Sequence, residues 1–143
     1  MDTWFPMVVG GPALAGQPIT LVGEGRRRHS FVAMRDIVGY ALAALDLEAK
    51  GETLVIGGPE PVSWWDVLAV FNQELGRDLP VRSVPPGEPV PGLPDVVVQL
   101  LAGMETYDSP IDSSELACTY DVTPTSPAEF IRGFLAANRR GVG

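Results

Sequence analysis

The densest run of chemistry-bearing side chains in the sequence is Arg26-Arg27-Arg28-His29. Guanidinium groups suit an anionic ligand, because each offers a planar fork of donors to a phosphate or carboxylate. The same run also suits a solvated hairpin rim that balances an acidic protein. His29 is the only histidine and Cys118 the only cysteine. One of each cannot build a zinc site without carboxylates from distant positions. A Ser-His-Asp triad would have to use His29, and no serine sits in a Gly-x-Ser-x-Gly elbow. Cys118 permits no internal disulfide and reads as core filler, which makes the reducing cytoplasm the expected compartment.

Two glycine-rich spots could face a phosphate. Gly23-Glu24-Gly25 runs into Arg26, so a bulky residue stands where a dinucleotide loop needs its third glycine. Gly57-Gly58-Pro59 lies between a predicted strand and a predicted helix, as a phosphate loop would. No Lys-Ser or Lys-Thr pair follows it, which excludes a Walker loop, and a tight turn explains it better. The residues by themselves name no catalytic group and no metal ligand.

The elements that would position these residues are short. Trp4 and Phe5 open the chain with bulky apolar groups that something must cover. Pro6 suits a first helical turn, and Gly10, Gly11 and Pro12 should end that helix soon after. Strands are expected at 19–22, 30–33, 53–56 and 79–84 from their β-branched and apolar content. A helix should follow Asp36, with Ile37, Val38, Ala41, Leu42 and Leu45 on its core face and Lys50-Gly51 as its stop. Asp36 suits both its cap and the positive end of its dipole. Ser63 and Asp66 have capping-box spacing ahead of a helix with Trp64, Val67, Leu68, Phe71 and Leu75 inward and Gly76 as its stop. Trp64 is read as core, and the adjacent Trp65 as packing on a loop or partner. The proline-rich stretch 85–94 should run extended over the surface. A helix from Asp95 to Met104 should point Val97, Leu100 and Leu101 inward. A short helix is expected near Asp112. A last helix should carry Ser126 as N-cap, Pro127 at N1, Glu129 closing a capping box, and Arg139 and Arg140 at its end.

This order makes a mixed α/β chain with mostly short strands. The 143 residues suffice for one domain, residues 1–143. Apolar residues at 45% and charged residues at 20% exclude a disordered chain. No apolar run reaches the roughly 18 residues that a membrane-spanning helix needs. A net charge of −8 disfavours nucleic acid and anionic membranes as partners. A small-molecule ligand remains.

The order of the motifs resembles the C-terminal half of atypical short-chain dehydrogenases, nearest to the NmrA-like and epimerase/dehydratase-like NAD(P)-binding proteins. The residues that carry it are Gly23-Glu24-Gly25, Phe31-Val32, Asp36-Ile37-Val38, Leu54-Val55-Ile56-Gly57-Gly58-Pro59-Glu60, Ser63 and Leu75-Gly76-Arg77. Met1-Asp2-Thr3-Trp4 and Pro124-Thr125-Ser126-Pro127-Ala128-Glu129-Phe130 extend the likeness to both ends. It implies the C-terminal part of a Rossmann-like fold, with the dinucleotide-binding half belonging to a segment these residues do not include. The family's Tyr-x-x-x-Lys pair has no counterpart, since Tyr40, Tyr107 and Tyr120 are followed four residues later by Ala44, Ile111 and Pro124.

The resemblance implies NAD or NADP for the full-length family and no cofactor for this chain alone, which is expected to be inactive by itself. It places Trp4, Phe5 and Met7 near the substrate cleft, and Arg28, His29 and Phe31 at its rim. The alternative is a stand-alone, cofactor-free ligand-binding or interaction module. Either way, apolar surface meant for the other half would be exposed at a cost of about 25 cal/mol per Å². Association of identical chains is therefore expected.

Overall fold

The computed structural model describes residues 1–46, 51 and 53–139. Lys50, Arg140 and the side chain of Arg139 lie outside the described residues, so the helix stop and the terminal charges expected there are not at issue.

A π-helical turn, Pro6–Gly10, runs directly into α1, Gly11–Leu14. The glycines do not end the helix as expected. Both keep right-handed helical dihedrals, and the Gly11 amide reaches back to the Pro6 carbonyl, which widens the turn. Gly10 is a spacer: a Cβ there would lie 2.5 Å from the Phe134 ring. Its missing side chain lets the last helix press against this one.

β1, Ile19–Val22, is wholly buried and pairs in parallel with β2, Val81–Val84, in the register Ile19↔Val81 to Val22↔Val84. A parallel pair needs a long crossover. Here the crossover holds α2, Met34–Asp46, and α3, Trp64–Leu75. Beyond β2 come α4, Asp95–Met104, α5, Ser114–Thr119, and α6, Pro127–Arg139.

Two expected strands are absent among the described residues. Segment 30–33 contributes only the flanking bridges of His29 to Val62 and to Ser109. Residues 53–56 form no ladder, and Val55 is exposed. Their β-branched composition favours an extended chain, but a strand exists only when a neighbour accepts its hydrogen bonds.

α3 follows its sequence signals closely. The Ser63 side chain accepts from the Asp66 amide at 3.2 Å, and Asp66 accepts from the Ser63 amide at 2.9 Å, closing the box with Asp in place of Glu. Gly76 caps the other end at φ 65°. In α6, Ser126 Oγ accepts from the Glu129 amide at 3.1 Å. The Glu129 carboxylate does not complete the box, because it pairs with Arg35 instead. In α4 the inward residues are Val98 and Leu101, while Leu100 faces solvent.

α2 departs most from expectation. Its apolar stripe faces outward: Met34, Ile37, Val38, Leu42 and Leu45 are all exposed, Leu42 at 60% and Leu45 at 78%. The inward side carries Asp36 and Tyr40. Asp36 lies inside the first turn and accepts from the Thr125 amide at 2.8 Å and its hydroxyl at 2.6 Å. The start of the helix, the cap expected of Asp36, is served instead by Asp2, whose carboxylate accepts from the Met34 amide at 2.7 Å. The buried Tyr40 hydroxyl faces Ser113, whose own hydroxyl donates to the Gly57 carbonyl at 3.0 Å.

Candidate functional site

Five aromatic rings gather where the N-terminal helical segment meets α3 and α6. Phe5 is fully buried, with its ring centre 5.2 Å from Phe31, 5.8 Å from Phe130 and 6.3 Å from Trp64. Phe31 lies 5.5 Å from Trp64 and 5.9 Å from the imidazole of His29. Edge-to-face geometry of this kind adds about 0.5–1.5 kcal/mol per pair beyond simple burial. Trp4 and Phe31 line an open cavity of about 280 Å³ with Asp2, Ser30 and Ile37.

The six residues assigned by resemblance therefore divide. Trp4 and Phe31 share a cavity wall, Phe5 and His29 stand behind them in the core, Arg28 lies on the surface, and Met7 belongs to a different cavity.

His29 is a seam between three segments. Its amide and carbonyl exchange hydrogen bonds with Val62, each at 3.0 Å. Its Nε2 faces the Met104 carbonyl at 3.2 Å and its Nδ1 faces Ser109 Oγ at 2.7 Å. A carbonyl only accepts, so Nε2 carries the proton and Nδ1 accepts from the hydroxyl. Burial is the main reason the His29 pKa lies below its ordinary value, against the opposing pull of the Met104 carbonyl, Asp108 and Glu105. At neutral pH this imidazole is uncharged and hydrogen-bonded on both nitrogens, a structural arrangement.

Two of the three arginines in the run are paired with the protein's own carboxylates. Arg27 pairs with Asp108 at 3.2 Å, Arg28 with Asp66 at 3.1 Å, and Arg26 lies 5.8 Å from the centre of the Trp65 ring. The Arg28 amide donates to Asp108 at 2.8 Å. That bond first, and then the Arg27 side chain, holds the exposed Asp108 carboxyl below its ordinary pKa. Burial works against ionising Asp66, but the Ser63 amide and hydroxyl with the Arg28 charge still hold it low. Trp65 packs on the loop, as one of its two expected roles required, with Nε1 donating to the Glu24 carbonyl at 2.8 Å.

Neither glycine pair fits a dinucleotide. In the Gly23-Glu24-Gly25 turn, the amides of Glu24 and Gly25 converge on the Glu105 carboxylate, the former at 2.9 Å and the latter at 3.2 Å. An internal carboxylate fills this small anion-binding nest. Gly23, at φ 71°, leaves the room, since a Cβ would stand 2.5 Å from Glu105 Oε2. Glu105 carries no local motif, and only the folded chain shows its role. Gly58 serves close approach rather than the tight turn expected from sequence. Its Cβ would fall 1.9 Å from the Phe31 carbonyl oxygen, and its amide donates to Ser30. A pyrophosphate would have to displace these contacts. No cluster of three or more metal-ligating side chains exists among the described residues, and no helix among them is long and apolar enough to cross a membrane.

No known family matches the sequence, and no curated protein matches it. Solved structures do share the fold. A UDP-glucuronic acid 4-epimerase from Bacillus cereus, in complex with UDP-glucuronic acid and NAD, is 24% identical with a TM-score of 0.64 over 92% of this chain. An NADPH-dependent quinone oxidoreductase from Escherichia coli is 14% identical with a TM-score of 0.71 over 94% of this chain. The chain spans 38% of the epimerase and 52% of the oxidoreductase. Its mixed α/β fold is thus that of a part of Rossmann-like, NAD(P)-dependent epimerases and oxidoreductases.

Proposed function

We propose that this chain is the substrate-binding portion of an NAD(P)-dependent oxidoreductase or epimerase of the atypical short-chain dehydrogenase kind, NmrA-like or epimerase-like, and that it does not turn over substrate alone. The observation that carries this is the pairing of nearly full coverage of this chain with 38% and 52% coverage of its longer neighbours. The uncovered α2 stripe and the unpaired segment 53–56 support it, because both are surfaces a further α/β layer would complete. Substrate would meet the wall formed by Trp4 and Phe31, with Phe5 and His29 fixing that wall from behind. Cys118 is exposed, not the core filler expected of it, and one free cysteine fits a reducing compartment, the cytoplasm.

Titration with NADPH and with NAD tests the division of labour. Micromolar binding of either by this chain would overturn it. Amide shifts on adding UDP-glucuronic acid or a small quinone test the wall. Shifts at Trp4, Ser30 and Phe31 support the assignment, and shifts confined to other surfaces remove it.

A second reading, a stand-alone interaction module, draws on the α2 stripe alone. An apolar helix face left in water favours self-association through matching stripes. Light scattering at high concentration separates the cases: a persistent monomer removes the homo-oligomer.

A further inference from the structure

We propose that the cavity floored by Thr20 and Arg82 binds a small organic anion, with the Arg82 guanidinium gripping a carboxylate or phosphate head and the N-terminal helical segment covering its apolar body. The cavity measures about 390 Å³ and lies between that segment, the β1–β2 pair and the proline-rich stretch 85–94. It shares no lining residue with the Trp4–Phe31 cavity, so the proposal does not rest on the substrate-domain reading.

Three observations converge on it. The first is the state of Arg82. Arg27, Arg28, Arg35 and Arg132 are paired with carboxylates, Arg77 donates to the Ala13 carbonyl, and Arg26 lies over Trp65. Among the described residues, Arg82 has no carboxylate within ion-pair distance. Its one bond runs from Nε to Thr20 Oγ1 at 2.8 Å. That bond fixes the plane of the guanidinium and leaves its terminal N–H groups to a ligand, an arrangement suited to two-pronged anion recognition.

The second is placement. Thr20 and Arg82 are direct partners in the parallel pair, and Thr20 is buried, so the grip stands on a rigid element. The third is the wall. Met7 and Val8 enter the cavity from the π-helical turn, a widened backbone found often beside functional sites, and Val90 closes the far side. The cavity is open on one side, where the exposed Arg82 stands at its mouth. Its inner wall of Met7, Val8 and Val90 offers apolar cover beside that one charge, the combination by which small-molecule pockets hold and orient a ligand.

The test is amide-resolved NMR titration of the whole chain with benzoate, phenyl phosphate and the neutral benzamide. Saturable shifts at Thr20, Arg82 and Gly92 with benzoate or phenyl phosphate, absent with benzamide, are expected. Which of the two anions binds tighter identifies the head group. Arg82→Gln should weaken that binding about tenfold or more, the loss of one charged, two-pronged contact. Gln17→Glu, at an exposed position on the cavity rim, should weaken it similarly by setting a carboxylate opposite the guanidinium, and it removes no internal contact. No saturable shift with either anion, equal shifts with benzamide, or an affinity unchanged in Gln17→Glu would overturn the proposal. Shifts at Trp4 and Phe31 would leave it overturned while the substrate-wall assignment stood.

Discussion

The aromatic centre and α2 obey opposite rules. Around Phe5 the apolar residues point inward: Phe31, Trp64, Phe71, Ile131 and Leu135 are buried against one another. In α2 the buried side is Asp36, tied to Thr125, and the ring of Tyr40 against Tyr120, while the stripe from Met34 to Leu45 meets solvent. The first region is complete in itself. The second is held by a few directional bonds and has most of its apolar surface to spare. A helix held this way is positioned by one carboxylate and one buried ring, and has little further burial to keep it folded. The contrast separates the part of the chain that is packed within itself from the part whose apolar surface stays in water.

Substitutions can break this comparison. Phe5→Ala removes the ring at the middle of the complete region and should cost about 3–5 kcal/mol of folding stability, measured by chemical denaturation. Asp36→Ala leaves the buried Thr125 amide and hydroxyl without their acceptor and should cost about 1–3 kcal/mol. Hydrogen exchange in that variant should rise first in α2 and around Thr125, and leave the α3–α6 contact protected. If α2 exchanged no faster, its dependence on that single carboxylate would be wrong.

A pH series sharpens the comparison further. The folded His29 resists protonation more than the unfolded one, whose value is near the ordinary 6.5. Its contribution is therefore complete above that value and falls away as pH drops below it. Asp66 and Asp108 have depressed values, so their contributions persist until pH falls below their ordinary 3.8. Part of the loss of stability as pH falls below 6.5 should thus trace to His29 and vanish in a His29→Gln variant, beside the part due to the half-buried Met1 amino group, which burial also lowers from its ordinary 8.0. A wild-type stability that is flat over this range would remove His29 as the cause.

The smallest effect belongs to the α2 stripe. Leu45→Ala should change the unfolding free energy of dilute protein by less than about 0.5 kcal/mol, because the side chain is 78% exposed. If copies associate through the stripe, the same substitution should lower the apparent stability at high concentration only. A loss that is equal at all concentrations would mean that Leu45 packs within its own chain.

Much of the local structure was legible in the sequence. Ser63, Asp66 and Gly76 bound α3, Ser126 and Pro127 start α6, and the Gly23-Glu24-Gly25 turn ends β1, because caps and turns are decided by residues a few positions apart. The order of those motifs also sufficed for the fold resemblance. The candidate site was less legible. Of the two roles the arginine run suited, a rim balancing an acidic protein and an anion contact, Arg27 and Arg28 take the first through Asp108 and Asp66, which come from segments that no local pattern connects to the run. Glu105 and Arg82 carry no motif at all, and each acquires its role only from what stands opposite.

The sequence alone thus determined where elements begin and stop, and that α2 has one apolar face. Tertiary structure decided which way that face points, whether 53–56 becomes a strand, and which arginines meet a carboxylate. The division has a physical cause. Propensity and capping are short-range energies written in neighbouring residues, whereas burial, strand pairing and charge compensation depend on groups brought together from distant parts of the chain.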